Sequence, residues 1–248
     1  MLSFVTTALD AWHDGGVAHA GRTARARARA ELTSEIKAAA RRQLAESGPA
    51  SLSLRAVARE LGLVSSALYR YFPSRDELLT ALIIDAYEAV AEAAEAAVAG
   101  AGEGVEARWA ALAGAVRAWA LAHPHDYALV YGSPVPGYSA PGETVPAAAR
   151  VGLVALGVVA DGVASGEVEL APGPPLPAAV AADLARLGEW AAPGVPDEVL
   201  GRALYAWAQL LGTISLELFG HLRGVVDASD AFFGVQVRRS AAVLLHGP

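Results

Sequence analysis

The sequence of 248 residues contains no cysteine, and Lys37 is its one lysine. The absence of cysteine excludes a disulfide framework, a metal site with Cys ligands and a thiol nucleophile. Long hydrophobic runs are also scarce, because the densest apolar stretch, residues 151–160, is shorter than the ~20 residues that span a bilayer. Asp10, His13 and Asp14 interrupt the start of the chain, where a signal peptide needs an apolar segment. We therefore expect a cytoplasmic protein with no membrane partner.

Charge is distributed unevenly along the chain. Residues 1–75 hold 11 Lys or Arg and 6 Asp or Glu, a net of +5, whereas residues 76–248 hold 8 and 20, a net of −12. This asymmetry predicts an anion-binding head joined to an acidic body. Nucleic acid is the obvious anion, since phosphate neutralisation supplies most non-specific affinity. An ordinary solvated surface is the alternative interpretation.

The periodicity of apolar residues indicates helices throughout. Neither strand-like alternation nor a repeat of 20–50 residues is visible, so the sequence predicts an all-α fold. The predicted helices cover residues 31–46, 54–61, 65–71, 75–99, 104–122, 124–131, 145–165, 178–191, 200–218 and 233–244.

The amino terminus resembles no regular element. Residues 1–21 show weak periodicity with a break at Gly15-Gly16, and an arginine–alanine segment follows. We expect residues 1–28 to be a flexible, basic extension, and we expect the arginine arm over residues 22–29 to enter a minor groove of DNA, as arginine-rich arms do. The arginines of this arm are Arg22, Arg25, Arg27 and Arg29.

Residues 53–75 have the pattern of a helix-turn-helix. Ser53 is a good N-cap for the first short helix, Gly62 is suited to the turn that ends it, and Ser74 opens a capping box for the long helix that follows. Two short helices joined by such a turn in a basic segment are typical of a DNA-reading motif. The alternative is a plain helical hairpin with core tyrosines.

The second helix of the motif has suitable chemistry for reading bases. Ser65, Ser66 and Ala67 are small, so the backbone can approach base edges, and the two hydroxyls can donate or accept hydrogen bonds there. The phenol and guanidinium groups that follow are suited to phosphate contacts, which set register. These groups belong to Tyr69, Tyr71 and Arg75.

The stretch LSLRAVARELGLVSSALYRYFPSRDELL, residues 52–79, resembles the DNA-binding signature of TetR-type (tetracycline-repressor-like) transcriptional regulators. The resemblance covers residues 31–90 and is densest over the LYxYF core and the run Ser74 to Leu78. Val64 departs from the pattern, because the family usually has Ser or another capping residue there and valine cannot cap.

The resemblance implies an all-α homodimer with an N-terminal three-helix DNA-binding domain and a C-terminal helical domain that binds a ligand and dimerises. The domains would be residues 29–75 and 76–248. It also implies that Arg55, together with Ser65, Ser66 and Ala67, falls at base-reading positions, and that Tyr69, Tyr71 and Arg75 fall at phosphate positions.

The regulatory half resembles the family more loosely. Its segment AHPHDYALVYGSPVPGY, residues 122–138, is similar to a C-terminal subgroup of actinobacterial regulators. Aromatic side chains are the candidates for lining a ligand pocket, with ordinary core packing as the alternative for each. They are Trp109, Trp119, Tyr127, Tyr131, Tyr138 and Trp207. His123 and His125 flank a proline without a further ligand nearby, so we expect no metal site.

The last two helices predict a dimer. Apolar residues step by 4, 3, 4, 3 and 4 from Leu200 to Leu218, a seam suited to packing on another helix. We expect this seam and the stripe on the final helix to form a four-helix bundle with a second copy. The expected interface residues are Leu204, Leu211, Ile214, Leu218, Phe233, Val237 and Leu244. Glu217, beside the seam, is either a hydrogen-bonding group of a pocket or an exposed residue.

Together these features predict a sequence-specific DNA-binding regulator, and in particular a repressor that a small-molecule effector releases from a palindromic operator. We expect the effector to be largely apolar or aromatic. The alternatives are an all-α enzyme and a non-specific DNA-binding protein. No nucleophile–base pair, phosphate-binding glycine loop or metalloprotease motif supports an enzyme, and no cofactor is expected.

Overall fold

A computed structural model describes residues 4–170 and 176–247, with side chains from residue 24 onward. Over these residues it contains ten α-helices and no strand, which confirms the all-α prediction. The helices are α1 (Phe4–Ser47), α2 (Leu54–Glu60), α3 (Ser65–Leu68), α4 (Arg75–Ala99), α5 (Val105–Ala122), α6 (Pro124–Tyr131), α7 (Val145–Ser165), α8 (Ala178–Ala191), α9 (Asp197–Leu218) and α10 (Ser229–His246).

The chain divides into two compact units, Met1–Leu79 and Thr80–Pro248. We call them the head unit and the regulatory unit. Helix α4 contributes its first turn to the head unit and the rest of its length to the regulatory unit.

Helix α1 begins much earlier than the sequence predicted. It runs from Phe4 to Ser47, so Gly15-Gly16 lie inside the helix and the expected helix start at Glu31 is wrong. Each glycine costs about 1 kcal/mol relative to alanine in a helix interior, and the alanine-rich flanks are the strongest helix formers. Most of the expected extension, residues 1–28, is therefore continuous with the first helix, whereas Met1–Ser3 lie outside the described residues.

The head unit is built on the apolar face of α1. Ile36 and Leu44 on α1 are buried together with Val57 on α2 and Leu68 on α3. Arg42 of α1 also binds Glu60 of α2, with Nη2 2.6 Å from Oε1. The long first helix thereby fixes the positions of the two short helices that follow it.

The regulatory unit surrounds α5, which packs against α7, α9 and α10. Trp109 near the start of this helix is almost fully buried, and its indole N–H donates to the Ser240 hydroxyl of α10 at 2.8 Å. The buried polar group is thereby satisfied, which removes the penalty of a lost hydrogen bond.

Helix α7 is unusually apolar. Residues Gly142–Ser165 are long and apolar enough to span a membrane, whereas the densest apolar stretch in the sequence, residues 151–160, is too short. In the structure this helix packs against α5 and α9 and buries one face, which includes Val151, Val158 and Val159. Packing in a helical core thus accounts for the buried face of this apolar helix.

Part of the heptad-like seam of α9 faces the interior of its own chain, whereas Leu204 is exposed and Leu211 and Leu218 are half-buried. Ile214 of α9 and Leu244 of α10 are fully buried, and the Phe233 and Val237 side chains of α10 are each 7% exposed. These four side chains are enclosed within the unit, so little of their surface is left for a partner. Ile214 is buried because α10, α5, α7 and α8 all pack on the inner face of α9.

Glu217 is neither an exposed residue nor a hydrogen-bonding group of a pocket, because it is paired with an arginine. Both of its carboxylate oxygens accept hydrogen bonds from Arg117 of α5, at 2.8 and 2.6 Å, and Arg117 also donates to Asp230 of α10 at 2.7 Å. The Arg117 guanidinium lies over the Phe233 ring, 4.8 Å from its centroid. Bonding to these carboxylates raises the pKa of Arg117 above its usual value, so the guanidinium stays charged.

The Arg117–Glu217 pair should be more important for stability than the Arg117–Asp230 pair. We expect Glu217→Gln to lower the free energy of unfolding by about 3 kcal/mol, because it leaves the largely buried Arg117 without its main counter-charge. Urea denaturation, with an unchanged slope, measures this loss.

Asp230→Asn is the matched control. The Asp230 side chain is 92% exposed, against 14% for Glu217, so its replacement should cost at most about 1 kcal/mol. Equal losses in the two variants would contradict this account of the cluster.

Candidate functional site

The turn between α2 and α3 is set by Gly62. This residue has a positive φ of 65°, which glycine adopts without the strain that a side chain would introduce. The Leu63 amide donates to the Ala58 carbonyl at 2.8 Å, and the Gly62 amide donates to Arg59, the hydrogen-bond pattern of a Schellman motif. The chain therefore leaves α2 at a defined angle before α3 begins.

Helix α2 is capped as the sequence predicted. The Ser53 hydroxyl accepts a hydrogen bond from the Ala56 amide at 3.4 Å. The Ser53 amide in turn donates to the side-chain oxygen of Gln43 on α1 at 3.2 Å, a contact that sequence analysis did not identify. The cap is thus attached to the long helix as well as to α2.

Helix α3 is only four residues long and is held by its neighbours. Val64 occupies its N-cap position with extended backbone and supplies no side-chain cap. Leu68 and Phe72 are buried and attach the helix to the head unit. Since isolated helices shorter than ~12 residues are marginal in water, this attachment, rather than helix propensity, maintains α3.

The residues predicted to read bases lie on or next to this short helix. Ser66 of α3 and Arg55 of α2 are exposed, whereas Ser65 and Ala67 are half-buried. The structure therefore brings two serines and an alanine together on α3 and leaves the Arg55 side chain accessible on the preceding helix.

The two tyrosines predicted to contact phosphate have different surroundings. Tyr69 is exposed, whereas Tyr71 is half-buried and lies under Arg29 of α1, whose guanidinium carbon is 4.9 Å from the ring centroid. Arg29 also donates to the Arg70 carbonyl at 3.4 Å. Arg29 thus holds the end of α3, and the exposed Arg70 is a further cation at this surface that sequence analysis did not select.

Arg75 forms contacts within the head unit. Its Nη2 donates to the Pro49 carbonyl at 2.8 Å, and its Nη1 lies 3.3 Å from an Asp76 oxygen. The Ser74 hydroxyl accepts a hydrogen bond from the Glu77 amide at 3.1 Å, which is the predicted cap of α4. Arg75 therefore connects the start of α4 to the turn after α1.

The predicted arginine arm is part of α1. Arg25, Arg27 and Arg29 are exposed on this helix, and Arg22 lies in its backbone with a side chain outside the described residues. The helical backbone differs from the flexible extension that the sequence predicted, although it keeps the arginines next to the head unit.

Two cavities of the regulatory unit lie near the predicted ligand-binding aromatics. Cavity A has a volume of about 680 Å³ and lies among α4, α6, α7, α8 and the loop before α7. Cavity B has a volume of about 200 Å³ and lies among α5, α7, α8 and α9. Tyr138 lines cavity A, whereas Trp109 and Trp207 line cavity B.

The remaining three candidate aromatics are not among the residues that line either cavity. Trp119 stacks on His123 with a centroid distance of 5.6 Å, and the fully buried Tyr127 bonds to the Ser215 hydroxyl at 2.8 Å. Tyr131 packs against Tyr127 at 5.1 Å. Burial raises the pKa of Tyr127 and Tyr131, which keeps both phenols neutral. Trp119 and Tyr127 fit the core-packing alternative, whereas the buried Tyr131 hydroxyl has no hydrogen-bond partner among the described residues.

Sequence analysis did not identify Tyr87 and Trp190 as cavity residues. Tyr87 lines cavity A and its hydroxyl donates to the Val130 carbonyl at 3.2 Å, while Trp190 lines both cavities. Their aromatic character was the available signal, but Tyr87 on α4 and Trp190 on α8 are distant in sequence from the 122–138 segment. Among the described residues, no group of three His, Cys, Asp or Glu side chains is placed to hold a metal.

Two family models match the chain. The model of the bacterial regulatory proteins of the tetR family matches residues 36–82, and the tetracyclin repressor-like C-terminal domain matches residues 109–240. The HTH-type transcriptional regulator Rv1816 of Mycobacterium tuberculosis is 40% identical over 228 residues, which cover 88% of this chain and 94% of that protein. The chain therefore belongs to the TetR family and is a DNA-binding transcriptional regulator.

Solved structures show the same fold. The regulatory protein SCO4313 is 39% identical, with a TM-score of 0.73 and coverage of 86% of this chain and 97% of that one. A protein from Rhodococcus sp. RHA1 is 29% identical, with a TM-score of 0.66 and coverage of 86% and 95%. A TetR family regulator from Marinobacter aquaeolei VT8, at 16% identity, has a TM-score of 0.60 and coverage of 87% and 96%.

Helix α3 lacks a side-chain hydrogen bond at its N-cap residue, Val64. We expect Val64→Ser to supply the absent side-chain acceptor and to stabilise α3 by about 1 kcal/mol. Amide hydrogen exchange over residues 65–68 should slow by roughly fivefold, since local opening governs exchange in such a helix.

Val225→Ser is the control, because Val225 is 77% exposed, against 71% for Val64, and lies in a turn instead of at a helix N-cap. It should leave exchange in α3 unchanged. Equal exchange rates in wild type and Val64→Ser would show that the stability of α3 depends on the buried side chains of Leu68 and Phe72 alone.

Proposed function

We propose that the chain is a cytoplasmic repressor that binds a palindromic operator as a homodimer and dissociates when a small-molecule effector occupies the regulatory unit. Its membership of the TetR family supports the general mechanism. The observation that carries the proposal is the short helix α3, which is attached by buried Leu68 and Phe72 and exposes Ser66 and Tyr69.

The base-reading role is assigned to Arg55, Ser65, Ser66 and Ala67. Small side chains on α3 let its backbone approach the base edges of a major groove, and the exposed Ser66 hydroxyl can donate or accept there. The exposed guanidinium of Arg55 has the length and the donors to reach a base from α2.

The phosphate role is assigned to Tyr69, Tyr71 and Arg75, and the minor-groove role to the arginines of α1. The exposure of Tyr69 supports a direct contact. Tyr71 and Arg75 have intramolecular partners, so we propose that they also hold the motif in the shape that fits the DNA backbone.

The two kinds of DNA contact make different predictions. Ser66→Ala and Arg55→Ala should reduce discrimination between operator and altered base pairs, by up to ~1–3 kcal/mol for a good side-chain contact. Tyr69→Phe should weaken binding to operator and scrambled DNA by the same factor, because phosphate contacts do not read sequence. Titrations with both DNAs over a range of salt concentrations measure the difference.

Arg238→Ala is the control for Arg55→Ala, because Arg238 is an exposed arginine of the regulatory unit. It should leave base discrimination unchanged. If wild type binds operator and scrambled DNA equally at every salt concentration, the chain is a non-specific DNA-binding protein and the repressor proposal is wrong.

The exposed side of α9 is the proposed dimer face. Tyr205, Gly212 and Leu216 lie on this helix and Phe219 follows as its C-cap residue, at spacings of 7, 4 and 3. Tyr205, Leu216 and Phe219 are exposed large hydrophobics. Such spacing places them on one side of the helix. The buried residues of the predicted seam are excluded from this face, whereas the partly exposed Leu211 and Leu218 lie near it in sequence.

The outer side of α10 completes the proposed face. Phe232 and Val235 are half-buried, and Arg239 and Ala242 are exposed. Two amphipathic helices that meet their symmetry copies form a four-helix bundle. A two-fold dimer of this kind predicts an inverted repeat with half-sites about one helical turn, ~34–36 Å, apart.

Leu216→Glu should disrupt the dimer. The new carboxylate would be desolvated at the interface without a partner charge, so the protein should sediment as a monomer and lose operator binding. Leu121→Glu is the matched control, since Leu121 is also a leucine with 45% exposure but lies on α5. A Leu216→Glu protein that remains dimeric would show that the interface lies elsewhere.

A further inference from the structure

Cavities A and B share two lining residues. Ala149 of α7 and Trp190 of α8 line both, so the wide cavity and the narrow cavity are adjacent at these side chains. Trp190 is mostly exposed although it lines both cavities. A molecule longer than either cavity would therefore pass this pair of residues.

Cavity B is apolar. Its lining includes Trp109, Leu156, Val159 and Trp207, and the indole N–H of Trp109 is already bonded to Ser240. A polar group placed in this cavity would lose its hydrogen bonds to water without gaining new ones. The narrow cavity consequently suits a hydrocarbon or aromatic part of a ligand.

Cavity A combines apolar walls with hydroxyl groups. Tyr87 donates to the Val130 carbonyl and Thr144 donates to the Pro141 carbonyl at 2.8 Å, while Tyr138 pairs with Thr80 at 2.8 Å. A hydroxyl that has donated its hydrogen keeps its lone pairs, so Tyr87 and Thr144 can accept a hydrogen bond from a ligand N–H or O–H. The wide cavity thus has capacity for a neutral polar group.

Charge is absent from the lining of both cavities. Among the residues that the structure describes there, none is Asp, Glu, Lys, Arg or His. Arg150, next to the shared Ala149, is paired with Glu95 through two hydrogen bonds of 2.7 Å. Burial of an ionised ligand group without a counter-ion is expensive, which disfavours carboxylate, phosphate and ammonium ligands.

We infer that cavities A and B form one site for a neutral, elongated and mostly apolar small molecule. Its apolar end occupies cavity B, and an end with a hydrogen-bond donor occupies cavity A. The combined space falls within the ~300–1,000 Å³ typical of sites for small molecules. The regulatory consequence of binding rests on the proposed function, but the binding itself does not.

Two related fluorescent probes test this inference directly. N-phenyl-1-naphthylamine is neutral and carries one N–H donor, whereas 8-anilinonaphthalene-1-sulfonate has the same aromatic skeleton with a negative charge. We expect the neutral probe to bind the full-length protein at one site per chain, at least tenfold more tightly than the sulfonate. Energy transfer from tryptophan to the bound probe is expected, because Trp109, Trp190 and Trp207 line cavity B.

Ala149→Phe places a ring where the cavities are adjacent and should weaken binding of the neutral probe at least tenfold. Ala118→Phe is the matched control, because Ala118 is exposed on α5 and lines neither cavity. Trp190→Ala removes a mostly exposed side chain, so it should fold, and it should weaken the probe at least fivefold by removing the shared wall. Circular dichroism confirms that each variant is helical.

Equal affinity for the two probes, several probe molecules per chain, or unchanged binding in the folded Ala149→Phe or Trp190→Ala variants would overturn the inference. These titrations contain no DNA. Failure of operator binding without a probe would instead contradict the proposed function and leave the assigned site intact.

Discussion

The burial of helix α5 is the constraint on which the regulatory unit depends. Helices α7, α9 and α10 cover it, and the polar groups that enter the core with it must find partners there. The Trp109 indole is satisfied by Ser240, and the Arg117 guanidinium by Glu217. Because α9 and α10 use their inner faces to cover α5, only their outer faces are left for a second copy of the chain.

Helix α9 serves the proposed ligand site and the proposed dimer face at the same time. Ala203 and Trp207 line cavity B, whereas Tyr205, Gly212 and Leu216 are on the proposed dimer face. At 3.6 residues per turn the two sets lie about 180° apart around the helix. A ligand that moves α9 would thereby alter the dimer directly, provided that it binds the two arrangements with different affinities.

In the head unit, the surrounding residues must stabilise helix α3, which is too short to be stable alone. The buried side chains of Leu68 and Phe72 attach α3 to the head unit. The Arg29 guanidinium lies over the Tyr71 ring, and Arg75 donates a hydrogen bond to the Pro49 carbonyl. Tyr71 and Arg75, which the sequence predicts to contact DNA, thus also hold α3 in position. Their replacement would change the shape of the motif together with its charge.

Local sequence signals determined the helix-turn-helix, the caps at Ser53 and Ser74 and most helix boundaries, because caps and turns depend on a few neighbouring residues. Only the tertiary structure decided that Ile214 faces the core while Leu216 is exposed, and that Trp190 lines both cavities whereas Trp119 lines neither. Periodicity identifies an apolar face but not the surface against which it packs, since that surface comes from helices distant in sequence.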